Sequence, residues 1–175
     1  DSYYDHLFIW DREEMNIVGG YRLGQTDKIL DKFGLKGLYV HSLFKFSPKL
    51  SGDLRHALEL GRSFIRPEYQ RSYSSLLLLW KGIGRYLIRH PQYRVLFGPL
   101  SISNDYNPVS QEILVKFLRG QNTEVRRTSH IKPRRPFRAK TELQSELIDL
   151  DSTDLNIISD LLSTVESDDK GVPVL

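Results

Sequence analysis

Between Leu58 and Arg71 the chain reads Leu-Glu-Leu-Gly-Arg-Ser-Phe-Ile-Arg-Pro-Glu-Tyr-Gln-Arg, an apolar alternation that carries a carboxylate, Glu59, and a guanidinium, Arg62, three residues apart. Alternation of this kind specifies a strand with one hidden face and one wetted face. A turn follows Ile65. The strand Glu59 to Ile65 therefore requires a sheet with a covering layer. On simple alternation Glu59, Gly61 and Ser63 share one face, and Leu60, Arg62 and Phe64 share the other.

The flanking sequence supplies that layer. From Ser74 to Arg89, Leu76, Leu77, Trp80, Ile83, Gly84, Leu87 and Ile88 recur at three and four residues, opposite Lys81, Arg85 and Arg89. This pattern predicts an amphipathic helix, capped by Ser74 or Ser75 and closed at His90-Pro91. Tyr93 to Leu100 reads as a strand whose apolar character predicts a central place. A second helix is expected from Val109 or Ser110 to Arg119, just after Pro108.

Upstream, His6 to Trp10 reads as a short buried strand and Ile17 to Leu23 as a second, joined by polar turn residues into an antiparallel pair. Gly19 and Gly20 inside that strand predict a bulge or a close approach by another group. Gln25 to Leu50 reads as irregular, and Leu54 to Leu58 as a helical turn or the lead into the next strand. The order hairpin, strand, helix, strand, helix predicts an α/β fold with a mixed sheet flanked by helices. The strands near residues 60 and 95 are then parallel through a right-handed crossover.

Charge divides the chain. Residues 1–118 hold 16 Lys/Arg and 12 Asp/Glu, residues 119–140 hold 8 and 1, and residues 141–175 hold 1 and 9, although the net charge is only +3. The expected organisation is a core over 1–118, a basic loop or excursion over 119–140, and an acidic helical segment over 141–175 that leads into a terminal strand of the same domain. The chain has no cysteine, which excludes disulfides, thiolate nucleophiles and cysteine-ligated metals and fits a cytoplasmic setting. The longest apolar run, Leu76 to Trp80, is too short to span a bilayer.

Candidate chemistry gathers at the end of the Glu59 strand. Arg66 to Ser75 is a polar turn ahead of a helix, suited to an anion such as a pyrophosphate, with Arg66 and Arg71 adding charge. The solvated-arginine reading stands beside it. Glu59 is either a base or orienter for an amine, or a surface carboxylate paired to a neighbour. Arg62 is expected to pair with Asp5, Asp11 or Asp105 and lock the sheet. The histidines have no metal-ligand spacing, so no metal site is expected. Basic 119–140 has Phe137 as its one aromatic residue, which argues against nucleic acid.

Three ordered motifs carry a family resemblance: Tyr4-Asp5-His6-Leu-Phe with Gly19-Gly-Tyr-Arg22-Leu, the Glu59-Leu-Gly-Arg62-Ser-Phe-Ile-Arg-Pro-Glu-Tyr-Gln run, and Leu79-Trp80-Lys-Gly82-Ile. Over residues 3–107 the chain resembles the GNAT-like acyltransferase group that includes ornithine N-acyltransferases and hemolysin-like bacterial proteins. More distantly it resembles acyl-homoserine lactone synthases. The resemblance implies a GNAT-like fold truncated at both ends. It also implies transfer of a fatty acyl group from an acyl thioester, on acyl carrier protein or CoA, to the amine of an amino acid or related lipid precursor. No tightly bound cofactor is implied.

By the same resemblance Asp5, Arg22, Glu59 and Arg62 form the polar cluster of the site, with Glu59 the base. Phe64, Ile65, Arg66, Gln70, Arg71, Ser72, Tyr73 and Ser74 bind the donor, a backbone N–H at Phe64 or Ile65 holding the carbonyl oxygen. The Gln70 to Ser75 turn lacks both glycines of the usual pyrophosphate loop, which weakens CoA and leaves room for a carrier protein's phosphopantetheine arm. Basic 119–140 is then a surface for acyl carrier protein or for anionic lipid at the inner membrane, or a solvated loop. The alternative function is a non-catalytic, membrane-associated protein with a vestigial site. Acceptor, chain length and oligomeric state stay open.

Overall fold

A computed structural model of the chain describes residues 2–70, 73–120, 130–139 and 155–166. It divides into two compact units, residues 1–99 and 100–175. In the second unit the helix after Pro108 packs with a helix of the acidic segment.

In the first unit β1 (Asp5–Asp11) and β2 (Asn16–Gln25) form the expected antiparallel hairpin. Asp11 closes its turn by accepting from the N–H groups of Glu13 and Glu14 at 2.9 and 3.1 Å. Next come α1 (Thr26–Phe33), α2 (Tyr39–Leu43), β3 (Phe44–Phe46) and α3 (Ser51–Arg55), in the stretch that reads as irregular. β4 (Ala57–Ile65), α4 (Tyr73–Arg89) and β5 (Val95–Phe97) complete the unit. The sheet order is β1-β2-β4-β5, with β4 antiparallel to β2 and parallel to β5. The parallel pair joined through a helix is as expected. β5 is shorter than Tyr93 to Leu100, and it is the outer strand of this sheet, not a central one.

One face of the sheet packs on α4. Tyr21, Leu23, Leu58, Leu79, Ile83 and Tyr93 are buried there, with Leu7, Ile9, Leu60 and Ile65 against them. Burying side chains of this kind stabilises by roughly 1.5–3 kcal/mol each. The buried stripe of α4 runs through Leu79 and Ile83, whereas Leu77, Trp80 and Ile88 are exposed, so the helix is rotated from the face that periodicity selects. β1 is half-buried: Leu7 and Ile9 face α4, while Phe8 and Trp10 are each 51% exposed. The other face of the sheet is covered by Tyr4, Ile29, Leu38 and Val40.

In the second unit α5 (Pro108–Gly120) and α6 (Leu155–Glu166) bury Ile113, Leu114 and Phe117 against Ile158 and Leu162. Asn107 caps α5 by accepting from the Val109 N–H at 2.9 Å. Within the segment expected to be a basic loop, Ile131–Pro133 is a short strand, β6. Arg71, Ser72 and the expected terminal strand at 171–175 lie outside the described residues.

Candidate active site

β4 pairs with β5 over only three residues, Ala57 to Glu59 against Val95 to Phe97. Beyond Glu59 the two strands part, and β5 ends while β4 continues to Ile65. The parting is tight at its root: a Cβ on Gly98 would lie 2.2 Å from the Leu60 carbonyl oxygen. From Leu60 onward β4 has no described ladder partner on the β5 side.

A bulge sits on this open stretch. Gly20 aligns with Phe64 and Arg22 with Gly61, so Arg62 and Ser63 together oppose Tyr21. Arg62 takes a left-handed conformation, φ 47°, as the extra residue of such a bulge often does. The bulge resets the alternation. Arg62 lies over the Tyr39 ring, 5.9 Å from its centroid, on the face where Glu59 meets Tyr39, and not on the opposite face that simple alternation assigns.

Glu59 is 2% exposed and carries three donors. Its Oε1 accepts from the Val40 N–H at 2.7 Å, and its Oε2 accepts from the Tyr4 hydroxyl at 2.7 Å and the Tyr39 N–H at 3.2 Å. The two N–H groups belong to the first turn of α2, where Leu38 at the cap position has no acceptor to offer. Glu59 fills that role from a distant strand, so it is neither a surface carboxylate nor an open base. Burial first, and then the hydrogen bond to Glu59 and its charge, hold the Tyr4 phenol well above its ordinary range.

Arg22 is buried on the same face, its guanidinium 4.2 Å from the Tyr4 centroid and 5.3 Å from that of Tyr39. Glu59, Arg22 and Arg62 thus meet around Tyr4 and Tyr39. Asp5 does not join them. Its carboxylate faces α4 and accepts from Gln25 Nε2 and the Tyr86 hydroxyl, both at 2.7 Å. The expected pairing of Arg62 with a carboxylate is absent among the described ion pairs: Asp11 accepts from Tyr69 at 3.0 Å and Asp105 from Ser103 at 2.8 Å.

At the end of β4, the Arg66 N–H donates to the Val18 carbonyl at 2.9 Å. This makes Ile65 and Gly19 a non-hydrogen-bonded pair, so both backbone groups of Ile65 point to the open edge. The Ile65 carbonyl accepts from Gln70 Nε2 at 2.7 Å there. Its N–H faces the same gap, whereas the N–H of Phe64 faces β2. The Phe64 side chain is 48% exposed. Arg66 pairs with Glu68 of its own turn at 2.9 Å, and Ser74 is exposed in the first turn of α4. Tyr4, Tyr39 and Val40, which complete the Glu59 cluster, are missed as partners by sequence reasoning. The one signal for them is Tyr4 within the first motif.

The matching family model is described as an acetyltransferase (GNAT) domain and covers residues 1–81, from ahead of β1 into α4. Residues 1–81 are similar to GNAT domains. The matched stretch contains the Glu59 cluster and the bulge at Arg62. The chain is 31% identical over 123 residues to a glycine N(alpha)-acyltransferase of Phocaeicola vulgatus, covering 66% of this chain and 38% of that protein. It is 32% identical over 124 residues to the protein of the same name from Bacteroides thetaiotaomicron, covering 66% and 37%. An L-ornithine N(alpha)-acyltransferase of Brucella abortus is 36% identical over 103 residues, 56% of this chain and 35% of that protein. The chain thus spans little more than a third of the length of the curated relatives it matches. No solved structure matches it. No described helix is long and apolar enough to cross a membrane.

Proposed function

We infer that the whole protein is an N-acyltransferase that moves a fatty acyl group from an acyl thioester to the α-amine of an amino acid. The observation that carries this reading is the open, bulged edge of β4 directly beside the Glu59, Arg22 and Arg62 cluster. An extended thioester fits along the edge as a strand would. The Ile65 N–H supplies a donor for the carbonyl oxygen as it gains charge. The amine nitrogen forms the amide bond as the C–S bond breaks, and the leaving thiolate ends as a thiol with the amine's proton, so no other reactant is needed.

Glu59, buried and carrying three donors, acts in this scheme by fixing Tyr4 and the start of α2. A proton route to it runs through the Tyr4 hydroxyl. The donor is acyl carrier protein before CoA: the Gln70 to Ser75 turn lacks glycines, and Arg66 is engaged by Glu68. The names of the relatives, which specify glycine and L-ornithine, support an amino-acid acceptor.

The test is mass spectrometry of products formed by the full-length protein from acyl-carrier-protein and acyl-CoA thioesters with glycine and L-ornithine. An N-acyl amino acid is the expected product. Intact thioester with every amine would overturn the reading.

A further inference from the structure

Arg62 is one of two described non-glycine residues in the left-handed region, the other being Met15 in the β1–β2 turn. One kind of bulge takes that conformation at its first residue, where glycine supplies it without strain. An arginine there raises the cost of the backbone, which directs attention to its side chain. That side chain is exposed, and its described contact is the face of Tyr39, itself 39% exposed. Among the described residues no carboxylate pairs with it. A second guanidinium, that of buried Arg22, lies 5.3 Å from the ring of Tyr39, whose backbone N–H donates to Glu59. Gly61 next to it adds no side chain; a Cβ there would touch only Arg22 Nη2, at 3.7 Å.

We propose that Arg62, with Tyr39 beside it, binds the α-carboxylate of the amino-acid acceptor. This assignment rests on the acyl-transfer reading above and names the chemical class that the site selects. A guanidinium offers a carboxylate paired N–H donors in a planar fork. An α-carboxylate held at the bulge leaves the α-amine one carbon away, beside the part of β4 where the thioester lies. The preference is then for α-amino acids over simple amines, and it comes from charge recognition, not from the acceptor's side chain.

The test compares glycine with glycinamide, which keeps the amine and lacks the carboxylate, in the full-length protein with a long-chain acyl-carrier-protein thioester. The wild type is expected to favour glycine by about 100-fold in kcat/KM, the size of a charge-assisted contact. In Arg62→Gln the preference falls below about 5-fold through a higher KM for glycine, while the KM for the thioester is unchanged. Arg62→Gly loses the same preference yet melts about 4 °C higher, because it removes the left-handed strain. Equal use of glycine and glycinamide by the wild type, or a preference kept in Arg62→Gln, overturns the assignment while acyl transfer stands. If neither amine is acylated and the thioester stays intact, the acyl-transfer reading fails and takes this one with it.

Discussion

The Tyr4 hydroxyl donates to Glu59 Oε2 over 2.7 Å, joining the segment ahead of β1 to the middle of β4 beneath the open strand edge. The same carboxylate holds the first turn of α2. Removing it takes the acceptor from the Val40 N–H and leaves the Tyr4 hydroxyl and the Tyr39 N–H only their longer contacts, to the Gly37 carbonyl and to Tyr4 Oη, both at 3.2 Å. Glu59→Ala is expected to cost about 3–4 kcal/mol and Glu59→Gln, which keeps one acceptor oxygen, roughly 1–2 kcal/mol. Tyr4→Phe falls near the smaller figure. Urea unfolding with unchanged m-values measures all three. A Glu59→Ala midpoint equal to wild type would show that the carboxylate does not organise α2.

Gly98 and the Leu60 carbonyl set the width of the parting between β4 and β5. Because the obstruction is backbone, Gly98→Ala forces a strand to move and is expected to cost about 2–3 kcal/mol. It should also raise the KM for the thioester more than the KM for the amine. Gly52→Ala in α3, where a Cβ meets nothing within 4 Å, is the comparison; it should leave both KM values unchanged and stabilise by up to about 1 kcal/mol through helix propensity.

Alkaline pH probes the buried phenols. Desolvation, followed by the neighbouring carboxylates, raises the pKa of Tyr4 beside Glu59, Tyr86 beside Asp5 and Tyr93 beside Asp27. The stabilisation is complete below the ordinary value of 10.0 and falls as pH rises above it, since the unfolded chain then releases protons that the folded chain keeps. The unfolding midpoint should drop steeply between about pH 9.5 and 11.5. The Tyr86→Phe, Tyr93→Phe double variant should flatten that slope. A wild-type midpoint constant across the range contradicts the assignment.

Acid pH probes the hairpin turn. The N–H groups of Glu14 and Glu13, and then the Tyr69 hydroxyl, hold the Asp11 carboxyl below its ordinary value of 3.8. Its contribution is present above that value and lost as pH falls through the lower folded one. A carbon-detected NMR titration should show Asp11 ionised at pH values where ordinary aspartates are half protonated. A midpoint at or above 3.8 would mean that the turn does not bind the carboxylate.

Much of the fold was legible because it is written in local periodicity. β1, β2, β4 and α4 each carry enough apolar positions at one spacing to define an element and a partner layer. The helix at Thr26–Phe33 was not legible: of its apolar residues Ile29 is fully buried and Leu30 partly so, too few points to show a period. The Gly19-Gly20 signal was, since Gly19 lies against the Phe64 carbonyl and the register slips just beyond Gly20.

The sequence by itself determined the strand that carries Glu59 and Arg62, its covering helix, the parallel crossover and the GNAT-type motifs. All of these depend on residues near one another in the chain. Only the tertiary structure decided that Arg62 shares a face with Glu59, that Asp5 belongs to the opposite face, and that Glu59 is held by Tyr4, Tyr39 and Val40. A bulge inverts side-chain parity without altering composition. A buried carboxylate takes its donors from whichever segments the packing brings within reach, 55 residues away for Tyr4.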